Sequence, residues 1–204
     1  MRKPVRSIIA RIQRAFPKIE SGIIYHVYNR ANGNDDIFRE PRNYNYFLTL
    51  CAKYVIPVAN IYAYCLLKNH FHFLVRIKNL NNVALDPTQQ FSNWFNAYAK
   101  AYNKLYQRTG SLFQRPFERI PVSSETYLIN VIHYIHHNPV KHGFVSDFRE
   151  WEYSSYHALR SSKATHLSRV EVLDWFGGSN QFEELRSKHF DDLPIREIIG
   201  NDLD

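Results

Sequence analysis

The segment "NIYAYCLLKNHFHFLVRI", residues 60–77, constrains the fold more than any other. Two apolar runs of strand length, rich in aromatic and branched side chains, are separated only by Lys68-Asn69. A two-residue break of this kind predicts a hairpin, and therefore an antiparallel sheet. Within the second run, alternation sets Phe71, Phe73, Val75 and Ile77 on one face and His70 and His72 on the other. Two imidazoles on one face of one strand can offer two nitrogens to a single metal ion. They can equally be polar side chains on a half-solvated sheet, and the alternation alone does not choose.

The same periodicity reading covers the remainder of the chain. "IIYHVYNR", residues 23–30, reads as a strand before the turn-rich "ANGND". Tyr44, Phe47, Cys51 and Tyr54 recur at helical spacing and predict a helix over 41–55. Phe91, Trp94, Tyr98, Tyr102 and Leu105 predict a longer amphipathic one over 88–107. "QRTGSLFQRPFERIPV" reads as a loop leading into a short strand near 117–122. "SSETYLINVIHYIHHNP" reads as a helix that starts at a serine and stops at Pro139. Short helices follow at 168–175 and 180–190, separated by Gly177-Gly178. The order strand, helix, strand, strand, helix, strand, helix implies an α+β fold: a ferredoxin-like antiparallel sheet with packed helices, plus a mainly helical C-terminal extension. The boundaries implied are a basic segment 1–19, a domain 20–160 and an extension 161–204.

Charge narrows the partners. The net charge of +7 and pI near 9.4 favour an anionic partner, most simply nucleic acid, against the plainer reading of a solvated basic surface. Residues 1–19 carry Arg2, Lys3, Arg6, Arg11, Arg14 and Lys18 and no carboxylate. Residues 181–204 hold seven Asp/Glu against three Lys/Arg, so the positive excess lies in 1–180. Fourteen tyrosines and fourteen phenylalanines accompany it, suited to stacking on unpaired bases where they are not core. Two cysteines, Cys51 and Cys65, are too few for a disulfide framework and lack zinc-site spacing, so a reduced, cytoplasmic protein is expected. The basic N-terminus has no apolar run beyond three residues, which excludes a signal peptide or membrane span there.

The helix near 124–138 carries a second constellation. Leu128, Val131, Ile132 and Ile135 form its core stripe, while Tyr134 and Asn138, four apart, stand one turn above each other. Asn138 precedes Pro139, which disfavours helical geometry at that residue. Taken alone, the pair also fits a helix-terminal amide and a core-edge tyrosine.

The blocks "NHFHFLVRI", "LFQRPFE" and "YIHHNPVKHGFV", in this order, resemble the single-tyrosine HUH transposases, and above all the REP-associated tyrosine transposases and their insertion-sequence relatives. "YHVYNRANGND" and "WEYSSYHAL" agree, so the resemblance covers residues 20–160. It implies that His70, His72 and Asn138 bind a divalent metal, Mg or Mn, and that Tyr134 is the nucleophile. The implied activity is cleavage and rejoining of single-stranded or hairpin DNA through a covalent phosphotyrosine. No membrane is implied, and the protein is expected to be a monomer or a homodimer, since the branches of the family differ. The residue types suit this chemistry. A tyrosine of ordinary pKa near 10 is a poor nucleophile at neutral pH unless the phosphate it attacks is activated. Two imidazoles and one amide oxygen also leave coordination positions open.

Arg30, Arg76, Arg115 and Arg119 are candidate phosphate contacts, or plain surface charges. His26, on the first strand, can sit near this site or be a satisfied structural histidine, and His133, His136 and His137 do not match ligand positions. Two other readings stay open: a domesticated, non-cutting hairpin-binding protein, and an RNA-binding ferredoxin-like module using sheet aromatics.

Overall fold

The computed structural model describes residues 18–33, 35–80 and 85–184. Residues 1–17 of the basic segment and 185–190 of the last expected helix lie outside them. Strand β1 (Ile24–Arg30) is followed by α1 (Pro41–Tyr54), β2 (Ala59–Leu67), β3 (His70–Ile77), α2 (Pro87–Leu105), β4 (Glu118–Pro121) and α3 (Glu125–Lys141). A 3-10 turn (Phe148–Glu150) and short helices α4 (Tyr156–Arg160), α5 (Arg169–Trp175) and α6 (Ser179–Glu183) complete the described chain. The four strands form one antiparallel sheet in the order β2-β3-β1-β4. This is the ferredoxin-like α+β arrangement, and β3 occupies a central position. Lys68-Asn69 is the hairpin break between β2 and β3.

Both faces of the sheet are covered. Tyr25, Val27, Phe71, Phe73, Val75 and Ile77 pack under α1 and α2 against Phe47, Leu50, Trp94 and Tyr98. Tyr28, Tyr62, Leu74, Val131, Ile132 and Ile135 form a second core beneath α3 and the C-terminal helices. Local chemistry fixes the helix starts. Pro87 opens α2 after Asp86, whose carboxylate accepts from the Thr88 amide at 2.9 Å. Ser124 caps α3 by accepting from the Tyr127 amide at 3.2 Å.

Helix α3 does not stop at Pro139, as the sequence suggested; it continues through the proline to Lys141. The stop is made by Gly143, whose φ of +69° suits a residue without Cβ. The Phe144 amide donates to the Pro139 carbonyl at 2.9 Å and the Gly143 amide to the Val140 carbonyl at 3.0 Å. These two bonds satisfy the last carbonyls of the helix. A proline near a helix end sacrifices one ladder bond, which a well-formed terminus just beyond it can outweigh.

Candidate active site

The β1–β3 register determines what meets on the α3 face. Tyr28 pairs with His72 and Arg30 with His70, while His26 stands one diagonal away from His72. His26, His70 and His72 are buried, at 0%, 2% and 0% exposure. The half-solvated sheet that would have accommodated the histidine pair without a function is therefore not what the fold provides. Burial pushes the His70 imidazole down to about 3, with the charges of His142 and Arg30 adding to the effect and the Asn138 amide opposing it. Burial likewise lowers His72 well below the ordinary range and His26 to about 3. All three rings are neutral at pH 7, the form in which an imidazole nitrogen can donate a lone pair.

Each candidate ligand is held by its other polar atom. The Asn69 amide oxygen lies 2.7 Å from His70 Nδ1, so that nitrogen carries the proton and Nε2 keeps its lone pair. His72 Nδ1 lies 3.0 Å from His26 Nε2. Asn138 Nδ2 donates to the Tyr134 carbonyl at 2.9 Å, which turns its Oδ1 away. The three atoms left over, His70 Nε2, His72 Nε2 and Asn138 Oδ1, are buried and make no hydrogen bond of good geometry, the Asn138 amide lying only near enough to His70 to favour its protonation. Buried acceptors are normally satisfied, because leaving one bare costs about 1–3 kcal/mol. Three such atoms on neighbouring side chains mark a place where a ligand is expected, and their chemistry fits a divalent cation. Among the described residues no three His, Cys, Asp or Glu side chains form a metal-holding group, so a site here would have to draw on another donor type such as the Asn138 amide.

Tyr134 lies against this group. Its ring centroid is 5.4 Å from His72 and 6.0 Å from His26, edge-on to both. The Lys141 ammonium sits 5.6 Å from the Tyr134 ring centroid, and the His142 ring 4.7 Å from His70. Tyr127, two turns earlier, has a buried hydroxyl without a partner, and burial raises it to about 12. The four arginines are dispersed. Arg30 faces the histidines from the end of β1. Arg76 pairs with Glu171 at 3.8 Å, toward the far end of β3. Arg119 pairs with Val27 and so projects to the opposite face, where it and Arg115 line a cleft.

Asn69 is a residue the sequence reading did not place near these side chains, since it read only as half of a turn, and His26 was left between a place near them and a structural role. The signal for both was the register: once β1 is laid antiparallel on β3, His26 falls on the histidine face.

No family model matches the chain. A curated protein of Haemophilus influenzae, named as a REP-associated tyrosine transposase, is 34% identical over 121 residues, a match spanning 56% of this chain and 65% of that relative. A solved structure of a REP-associated tyrosine transposase bound to a REP hairpin superposes with a TM-score of 0.56, covering 72% of this chain and 83% of that one at 20% identity. The second likeness carries the fold; the first, with the ordered sequence blocks, carries the relationship. The chain is thus similar in sequence to a REP-associated tyrosine transposase over just under two thirds of that relative's length, and it shares the fold of another.

Proposed function

We propose that the protein is a metal-dependent DNA-strand transferase of the HUH type, acting on single-stranded or hairpin DNA with Tyr134 as nucleophile. The observation that carries this reading is the trio of buried, unpartnered acceptors on His70, His72 and Asn138 beside the Tyr134 ring. His70, His72 and Asn138 would hold a divalent ion, which when bound polarises a phosphate oxygen as a Lewis acid. Tyr134 contributes the attacking oxygen. Its bond to phosphorus forms as the bond from phosphorus to the departing sugar oxygen breaks, the phenol losing a proton and the sugar oxygen gaining one. The phosphotyrosine retains the bond energy needed for rejoining. Lys141 places positive charge beside the ring on which negative charge develops, and Arg30 brings a cation to the mouth of the same face. His26 and Asn69 hold the two ligand rings in orientation.

The solved transposase of the same fold is bound to a REP hairpin, which supports hairpin DNA as the class of substrate here. A non-cutting, hairpin-binding descendant is the second reading, but such a protein would have no need of bare acceptors beside a tyrosine. Incubating the chain with single-stranded hairpin oligonucleotides and manganese, then resolving covalent protein–DNA adducts under denaturing conditions, separates the two. A wild-type adduct that is absent from Tyr134→Phe supports the transferase. Tight hairpin binding without any adduct would favour the binding protein.

A further inference from the structure

His136 is a buried imidazole that the proposed chemistry does not use. It stands on α3 two residues after Tyr134 and two before Asn138, at 1% exposure. Successive residues of an α-helix turn by about 100°, so Tyr134 and Asn138 share one flank of α3 and His136 occupies the opposite one. The first flank lies over His26 and His72. The second lies over Ser155, whose Oγ is 2.8 Å from His136 Nε2. Ser155, at 0% exposure, is itself bound to the outer edge of β2. Its Oγ accepts from the Tyr64 amide at 2.9 Å, and its own amide donates to the Tyr64 carbonyl at 2.9 Å. Cys65, next to Tyr64, pairs with His72 on β3. A continuous run of bonds thus joins the helix bearing Tyr134 to the strand bearing the histidine pair. Tyr156 and Phe182 close over the imidazole edge-on, at 5.8 and 6.0 Å between ring centroids, and keep water from competing for its bond.

Packing alone does not account for this pair. His136 Nδ1 is buried without a hydrogen-bond partner, a penalty that an apolar side chain of similar size would avoid. Apolar surfaces slide past one another at little cost, whereas a buried hydrogen bond holds at one distance and one orientation. Rotation of α3 is the movement to which the proposed centre is most sensitive. With side chains about 5–6 Å from the helix axis, a turn of roughly 10° carries Tyr134 and Asn138 about 1 Å across the histidines. A shift of that size can cost about a hundredfold in rate.

We propose that His136 is a positioning residue: its bond to Ser155 fixes the rotation of α3, and with it the approach of Tyr134 and Asn138 to His70 and His72. The proposal rests on the transferase reading above and adds to it a residue that acts from the far flank of the helix.

The test compares wild type with His136→Leu, His136→Gln, Ser155→Ala and the double variant His136→Leu/Ser155→Ala. Four quantities are read: the single-turnover rate of adduct formation on hairpin DNA with manganese, hairpin affinity, manganese affinity by electron paramagnetic resonance, and the melting temperature of the metal-free protein. In His136→Leu the adduct rate should fall at least about tenfold. Manganese should bind about tenfold more weakly, because Asn138 is displaced. Hairpin affinity should stay within about twofold, and the melting temperature should equal or exceed that of wild type. His136→Gln, whose amide reaches a similar point and can donate or accept, should recover most of the rate. Ser155→Ala should also slow the adduct, and the double variant should be no slower than the slower single one, since both act through one bond. Wild-type rate and manganese affinity in His136→Leu overturn the proposal and leave the transferase standing. A His136→Leu protein that melts well below wild type and loses hairpin binding together with rate also overturns it, because His136 then supports the fold rather than the site. Equal losses in His136→Leu and His136→Gln overturn it too, since ring shape and not the bond would then matter. A wild type that forms no adduct and binds no manganese overturns the transferase reading, and this proposal with it.

Discussion

Replacing His26 by phenylalanine isolates the part played by a ring that touches no substrate in the proposed mechanism. Phenylalanine nearly fills the same volume, so the packing of a residue at 0% exposure is largely kept. What disappears is the ring nitrogen 3.0 Å from His72 Nδ1, which accepts its proton in the tautomer that leaves His72 Nε2 able to ligate. His72 then has two poor choices. It can keep its proton on Nδ1, leaving a buried donor bare at about 1–3 kcal/mol. Or it can move the proton to Nε2, which blocks the atom proposed to ligate. Outer partners of metal-bound histidines typically carry 10–100-fold in affinity, about 1.4–2.7 kcal/mol. Manganese binding followed by electron paramagnetic resonance should therefore weaken by at least about tenfold in His26→Phe. Urea unfolding of the metal-free protein should show a loss of about 1–3 kcal/mol. His26→Gln, which keeps an acceptor, should recover part of the affinity. Manganese affinity within twofold of wild type in His26→Phe would refute the orienting role, whatever happens to stability.

Tyr134→Phe should abolish the covalent adduct, with unfolding free energy changed by no more than about 1.5 kcal/mol. Tyr127→Phe should retain the adduct and leave stability equal or slightly higher in denaturant melts, since the hydroxyl it removes is buried and unpartnered. Acid should destabilise the fold through its buried histidines. His26, His70 and His136 fall from 6.5 to about 3 on folding, so the stability tied to their neutral forms is complete above pH 6.5 and is lost as pH falls from there toward 3. Each should cost on the order of 1 kcal/mol between pH 7 and 5.5, readable by urea unfolding at the two pH values. Gly143→Ala places a Cβ at a φ of +69° and should cost about 1–2 kcal/mol, seen as a lower melting temperature.

Where structure follows from local pattern, the sequence was a sufficient guide. The β2–β3 hairpin, the histidine pair and the stripes of α1 and α2 all come from spacing within one element. The residues that escaped depend on distant partners. The Arg119 side chain lies on the far face because β4 pairs with β1 in a register that sets it beside Val27. Arg76 is engaged by Glu171, nearly a hundred residues later in the chain, and the Tyr62 hydroxyl donates to the same carboxylate at 2.8 Å. The place of His26 stayed open because nothing within β1 announces a neighbour on β3. Pro139 misled in the other direction: its local meaning, a helix stop, was overridden by the Gly143 terminus four residues on.

That proline also bears on how the proposed centre would be reached. A proline at 139 has no amide proton for the Ile135 carbonyl, so α3 lacks one rung between the turn carrying Tyr134 and the turn carrying Asn138 and Lys141. The two halves of the proposed centre therefore ride on helix segments joined by a weakened coupling. With Asn138 at 0% and Tyr134 at 6% exposure, a phosphodiester in the proposed reaction would have to reach side chains that the fold buries. Slight separation at the missing rung is the least costly way to expose them, because no main-chain bond has to break there. Catalytic tempo would then be governed by breathing of a single helix, with the sheet beneath it rigid.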